Sequence, residues 1–395
     1  QAWWDGIARY PSLDKGGWFD LFTRGTLLNH TFTVRAAEAW ERRGVWTGPK
    51  RLIMGPWYHG GTSLPLEPSF RNLRKRWFDW HLKADADPDY RRYALLDPGW
   101  PVTLYVMGRE AWRREKAWPL ARARNRTYYL SGRRQEHDRN PSLNNGPLVD
   151  GDAGPDRIRE DSGPSTRISY HPCQERDLFA GQKSRSSVRW MMGVTSFLPW
   201  AEDERENERV TLTFSTPPLA EDLEVTGPIT LRLWARSRFG EPVSEPPPIW
   251  WEWAGILGVD MSPLIPWASR RDVHWTVNLN DVFPDGRVRN LTSGWLAASH
   301  RPDPDRADWT RPGYDPFAYP EDRHPVSPEE GAAYEYVIEI WPTSNVFLAG
   351  HQIRIDVAVT DFPHFLPSLV PSENDILHDP EHPSHLILPV IPEPS

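Results

Sequence analysis

The sequence predicts a mixed α/β unit over residues 1–120 and an all-β unit of sandwich or jelly-roll type over residues 121–395. Three observations carry this prediction. Strand-like and helix-like segments alternate in the first region, period-two apolar alternation recurs through the second, and 41 prolines punctuate the chain. With 395 residues the chain exceeds one ordinary domain and permits a large buried core.

In the first region, Phe19 to Arg43 has few breakers beyond Gly25. Leu21, Leu28, Phe32, Ala36 and Ala39 fall near helical spacing there. Arg51-Leu52-Ile53-Met54 is a short apolar run ended by Gly55-Pro56, as a buried strand requires. Glu67 to Lys83 places Phe70, Leu73, Trp77 and Trp80 at three- and four-residue intervals, the pattern of an amphipathic helix. Pro101 to Met107 reads as the next strand. Such alternation argues for a largely parallel sheet covered by helices.

The second region opens on residues 131–165, whose Gly, Asn, Asp, Pro and Arg content predicts a long loop. Ile229, Leu231, Leu233 and Ala235 then form one apolar face, Val273, Trp275, Val277 and Leu279 another, and Ile353, Ile355, Val357 and Val359 a third. Pro284-Asp285-Gly286 between two such runs predicts a hairpin turn. Residues 240–270, with Pro246-Pro247-Pro248 and Trp250-Trp251, predict an insertion loop that packs on a neighbour.

Composition narrows the function. The 54 acidic against 46 basic residues give −8, and phosphate binding needs a basic face, so nucleic acid is not an expected partner. No apolar run is long enough to cross a bilayer, so a membrane is not expected either. Cys173 is the only cysteine, which excludes an internal disulfide or a cysteine metal cage and predicts a buried thiol. A lone cysteine favours the cytoplasm without fixing the location. The 22 tryptophans read as core and seam packing. The chain opens on Gln1, within what reads as an amphipathic segment, and is expected to be a fragment. Asn29, Asn125 and Asn290 each begin an Asn-x-Thr tripeptide, a pattern that chance also supplies.

Two segments of the first region carry chemistry. Gly16-Gly17-Trp18-Phe19-Asp20 precedes a predicted helix, and Gly55-Pro56-Trp57-Tyr58-His59-Gly60 follows a predicted strand. Each puts an ionisable side chain on a loop where a strand ends, the edge at which open α/β sheets build sites. Asp followed by His is the order of the last two members of a hydrolase triad. In such a triad His moves the nucleophile's proton, while Asp holds the imidazole tautomer. On spacing alone, among 13 His and many Asp, this pair is one of numerous such pairs.

The motifs resemble those of the CocE/NonD hydrolases, a family of esterases, α-amino-acid ester hydrolases, cephalosporin acylases and X-Pro dipeptidyl-peptidases. Gly17-Trp18-Phe19-Asp20 and Gly55-Pro56-Trp57-Tyr58-His59 match its Gly-Trp-aromatic-Asp and Gly-Pro-Trp-x-His motifs. Trp77-Phe78-Asp79-Trp80-His81-Leu82-Lys83, Val106-Met107-Gly108, Trp112 and Trp118-Pro119 follow in the family's order. So do Asp281 to Arg287, Thr343 to Phe347, Gly350-His351 and Glu381 to His385. The resemblance implies part of an α/β-hydrolase domain followed by a jelly roll. It implies Asp20 as the orienting carboxylate and His59 as general base and acid, with no cofactor or metal. It places Phe22, Trp57 and Tyr58 as candidates beside the substrate, with packing as their alternative role. The implied partner is a small-molecule ester, amide or peptide, and a homo-oligomer is left open.

Three departures accompany the match. No Gly-x-Ser-x-Gly nucleophile elbow occurs, and Ser63 lies after the His outside a strand–turn–helix setting, so the chain alone is expected to be inactive. Ser12, Asp14 and Lys15 stand where an apolar strand is expected, and the 240–270 loop is longer than the family pattern. Two rival readings stand beside the hydrolase. A metal hydrolase would use His378, Asp379, Glu381, His382 and His385, or His300 with Asp303 and Asp305. A non-catalytic β-sandwich module would use the tryptophans as a binding platform but leaves the Asp20 and His59 motifs unexplained.

Overall fold

The computed structural model describes residues 2–59, 72–83, 99–135, 140–153, 165–174, 185–191, 202–258, 260–301, 326–362 and 364–392. Four strands form a small sheet: β1 (Ser12–Gly17), β2 (Lys50–Gly55), β3 (Val102–Val106) and β4 (Ala111–Glu115). The first three run parallel, and β4 returns antiparallel beside β3. Helix α1 (Ala2–Ile7) leads in, α2 (Thr23–Glu41) lies between β1 and β2 in sequence, and α3 (Leu73–Leu82) lies between β2 and β3. The inner strands β2 and β3 are buried along their whole length, which is why Leu52-Ile53-Met54 is a continuous apolar run.

Among the described residues, β1 pairs with β2 alone. Asp14 accepts hydrogen bonds from Asn29 and meets His30, both on α2, while Lys15 lies over the Trp57 ring. The buried face of α2 is Thr23, Leu27, His30, Thr33, Ala36 and Ala37, displaced from the stripe the spacing predicts. The small residues there let the helix approach closely, while Phe32 packs on Trp4 at the rim. On α3, Leu73 and Trp77 join Ile53 and Trp57 in one apolar cluster, as the periodicity predicts; Phe70 lies outside the described residues.

Among the described residues, the rest of the chain is mostly β. It contributes β5 (Arg124–Leu130), β6 (Gly146–Asp150), β7 (Thr166–Tyr170), β8 (Leu212–Ser215), β9 (Leu223–Phe239), β10 (His274–Val282), β11 (Val288–Ala297), β12 (Ala333–Phe347), β13 (Gln352–Ala358), β14 (Ser372–Ile376) and β15 (His385–Ile391). Among the described residues, nine strands close in the order β12-β11-β10-β13-β8-β6-β5-β15-β9, with β9 bonded back to β12; β14 and β7 continue from β9. All pairings are antiparallel except β6 with β8. Closure leaves no open edge in the nine-stranded ring. The three predicted apolar faces line its interior, with Ile229, Leu231, Leu233, Trp275, Val277, Leu279, Ile353, Ile355 and Val357 fully buried. The predicted hairpin joins β10 to β11, and Gly286 supplies the left-handed turn residue, φ +86°.

Three expectations are corrected. The 131–165 segment contains β6, whose five residues sit between turn-forming neighbours and are too few to show a periodicity; β5 and β8 hold it in place. The 240–270 segment is largely helical. Pro248 opens a helix to Leu257 rather than breaking one, and Gly258 caps it at φ +65°. Met261 in that segment packs on Leu369, so the expected docking on a neighbour is present. Cys173 is exposed rather than buried, because it lies in the turn after β7 rather than on an inward strand face. Of the Asn-x-Thr tripeptides, Asn290 is fully buried on β11 and Asn29 is tied to Asp14, while Asn125 lies exposed on β5.

Candidate active site

Parallel strands β1 and β2 end level with each other, Gly17 beside Gly55, so the loops after them leave the sheet from the same edge. The pairing continues past the strands: Trp18 N–H donates to Gly55 O at 2.8 Å and Phe19 N–H to Trp57 O at 3.1 Å. This contact needs a glycine, since a Cβ on Gly17 would lie 2.0 Å from Trp57 O. The chain then turns into α2. Asp20 N–H donates to Gly17 O, and the Thr23 hydroxyl lies 2.6 Å from both Gly17 O and Asp20 O.

That turn brings the two candidate residues together. His59 Nδ1 lies 3.2 Å from Asp20 Oδ2, while Asp20 Oδ1 accepts the Phe22 N–H at 2.9 Å. Asp20 is 5 % exposed and the His59 side chain 43 %, so the carboxylate is shielded and the imidazole open on one side. With Nδ1 turned to the carboxylate, Nε2 is the nitrogen left to exchange a proton; it has no hydrogen bond among the described residues. A ring held this way can take a proton at Nε2 while the carboxylate balances the imidazolium.

The three aromatic candidates take different positions. Phe22 is 55 % exposed and meets the His59 ring edge-on at 5.0 Å, bordering the open side of the imidazole. Tyr58 stacks on buried Phe19 at 5.3 Å and is half-buried. Trp57 is 4 % exposed, packs on Trp112 at 5.6 Å and lies beneath the Lys15 ammonium, so its ring belongs to the packing behind the loop. Burial, reinforced by nearby Arg74, lowers the Lys15 pKa from its usual value.

Other carboxylate–histidine contacts escaped the sequence reading. Asp14 Oδ2 meets His30 Nδ1 at 3.2 Å, but His30 is buried beneath α2 and the pair closes the packing of helix on strand. The proposed metal ligands are dispersed among other tasks. His378 Nε2 meets the Thr166 hydroxyl at 2.9 Å, and His385 Nδ1 meets Pro383 O at 2.7 Å. Asp379, Glu381 and His382 do come within 4.8 Å of one another. Asp379 is already taken up by His382 Nδ1 and by the Glu381 and His382 backbone N–H groups. His300 pairs with Ser299, and Asp303 and Asp305 lie outside the described residues.

Residues 98–387 match the X-Pro dipeptidyl-peptidase C-terminal non-catalytic domain, so Asp20 and His59 precede the matched stretch. A cocaine esterase of Rhodococcus sp. (strain MB1 Bresler) is 26 % identical over 411 residues, covering 96 % of this chain and 56 % of that protein. The chain spans about half the length of the curated relatives it matches. An aminopeptidase of the marine sediment archaeon Thaumarchaeota archaeon shares the fold at TM-score 0.61 and 20 % identity, over 97 % of this chain and 55 % of that one. A CocE/NonD family hydrolase of Staphylococcus aureus does so at TM-score 0.55 and 13 % identity, over 97 % and 54 %. The chain belongs to a CocE/NonD-like family, corresponds to its carboxyl-terminal portion, and carries the X-Pro dipeptidyl-peptidase C-terminal non-catalytic domain.

Proposed function

We propose that this chain supplies two members of the catalytic triad of a serine hydrolase that cleaves carboxylic esters or amides through an acyl-enzyme. The observation that carries the reading is the 3.2 Å contact between His59 Nδ1 and Asp20 Oδ2, with the opposite side of the ring exposed beside Phe22. A serine from chain outside this sequence attacks the carbonyl. His59 takes its proton at Nε2 and returns it to the leaving group, and Asp20 holds the tautomer and balances the imidazolium. No Gly-x-Ser-x-Gly elbow is present in the 395 residues, so the nucleophile and its oxyanion donors come from elsewhere in the protein.

In this reading residues 1–120 are the later part of an α/β-hydrolase domain and residues 121–395 a jelly-roll domain. The parallel β1–α2–β2–α3–β3 succession, with Asp20 after β1 and His59 after β2, supports the first assignment, and the closed, largely antiparallel ring supports the second. Phe22 borders the acyl pocket, which its exposure and its edge contact with His59 support. The substrate is a small-molecule ester, amide or peptide, the classes named by the esterase and aminopeptidase relatives. Turnover of p-nitrophenyl esters by the protein together with its upstream chain tests the reading. His59→Ala is expected to lower kcat by roughly 10⁴-fold or more, and the 395-residue chain alone to be inactive. Unchanged turnover in His59→Ala would sink the assignment.

A further inference from the structure

The Asp20 turn runs directly into α2, and α2 touches the β-ring through a contact that joins residues 315 apart in sequence. Arg24, the second residue of α2, places its Nε 2.5 Å from Glu339 Oε2 on β12; the two side chains are only 28 % and 14 % exposed. Helix energetics do not explain an arginine here. The first turn of a helix carries the positive end of the dipole and disfavours a cation, and α2 has no acidic residue in that turn to offset it. Among the described residues, Glu339 is the acidic partner that offsets Arg24.

Glu339 is held on a rigid element. β12 is bonded to β9 from Ala333 to Phe347 and to β11 at Ile340 opposite Gly294. The Glu339 carbonyl presses on Gly294 so closely that a Cβ there would lie 2.1 Å away. At the other end, the Asp20 turn and the start of α2 form one bonded unit. The Thr23 hydroxyl reaches Gly17 O and Asp20 O, Phe22 N–H donates to Asp20 Oδ1, and Thr26 N–H donates to Phe22 O. A force on Arg24 is therefore carried to the carboxylate four residues earlier. Other polar contacts of the small sheet with the ring lie at and after β3 and β4: Met107 bridges Asn345, and Arg113 makes a two-pronged pair with Glu224.

We propose that the Arg24–Glu339 ion pair is a positioning contact by which the β-ring sets the orientation of Asp20 toward His59. The proposal rests on the triad reading above. It assigns the ring a part in turnover through the Asp20 loop, with neither Arg24 nor Glu339 touching substrate.

The test measures p-nitrophenyl ester kinetics and thermal melts of the protein with its upstream chain, for Arg24→Met, Glu339→Gln, the exchange Arg24→Glu with Glu339→Arg, and His59→Ala. A displacement of about 1 Å at a catalytic group costs on the order of a hundredfold. Each single variant is therefore expected to lower kcat about ten- to a hundredfold with KM changed less than about twofold, and the exchange to recover most of the loss. Glu339→Gln is isosteric and carries the test if Arg24→Met fails to fold. A kcat within about twofold of the parent in Glu339→Gln, or an exchange as impaired as the single variants, overturns the proposal while an inactive His59→Ala leaves the triad standing. An active His59→Ala overturns both.

Discussion

Replacing Gly17 by alanine tests how the loops that carry Asp20 and His59 are held together. Gly17 does not adopt a left-handed backbone, so the cost is one of space. Its new Cβ would meet Trp57 O at 2.0 Å and Trp57 C at 2.7 Å, both backbone atoms that cannot swing aside. Restoring an ordinary contact requires the loops to part by roughly 1 Å. The 3.1 Å bond from Phe19 N–H to Trp57 O then exceeds hydrogen-bond range. An orphaned, largely buried donor costs about 1–3 kcal/mol, and the forced repacking about 1–3 kcal/mol more. Urea unfolding followed by tryptophan fluorescence should show Gly17→Ala destabilised by roughly 2–6 kcal/mol. On the proposed function, ester turnover by the protein with its upstream chain should fall about a hundredfold, because the 3.2 Å Asp20–His59 contact opens with the loops. Gly25→Ala is the control. It lies inside α2 with nothing within 4 Å of the new methyl, and it should stabilise the protein by about 0.5–1 kcal/mol. A Gly17→Ala protein with the parent's urea midpoint and parental turnover would refute the argument.

Two further outcomes are expected. Burial, partly opposed by Asp379, pushes the His378 pKa down to about 4. The folded state thus favours the neutral ring, so its stabilisation is complete above the unfolded value near 6.5 and is lost as pH falls from there toward 4, by about 3 kcal/mol in all. Urea midpoints of the parent and His378→Gln at pH 7.5, 5.5 and 4.5 check this, and identical pH slopes in the two proteins would contradict it. Cys173, exposed after β7, should be labelled by a thiol reagent without denaturant, as peptide mapping checks, and labelling of this residue only after unfolding would contradict its exposure.

Much of the architecture could be read from local pattern. The alternation at Ile229–Ala235, Val273–Leu279 and Ile353–Val359 is the imprint of one strand face turned inward, and those residues are the buried lining of the ring. Arg51 to Met54 was legible as an inner strand because both of its faces are covered. Reading failed where a short element lacked room for a period, as at β6, or where tertiary contacts overrode spacing, as on α2. It also failed at Pro248, which is compatible with the first turn of a helix although the proline triplet reads as a breaker. In the candidate site, Asp20 and His59 were legible through ordered motifs, not through spacing. Phe22 and Trp57 read alike as aromatic neighbours, yet one stands open beside the imidazole and the other lies beneath the loop.

The sequence by itself determined the kinds of element, the faces they bury and the two loops that carry Asp20 and His59, because periodicity and turn chemistry act between near neighbours. Only the tertiary structure decided that β9 closes on β12, that Gly17 gives way to the Trp57 carbonyl, and that Arg24 meets a glutamate 315 residues away. Those contacts join distant segments of chain, and their energy depends on three-dimensional proximity that no local pattern records.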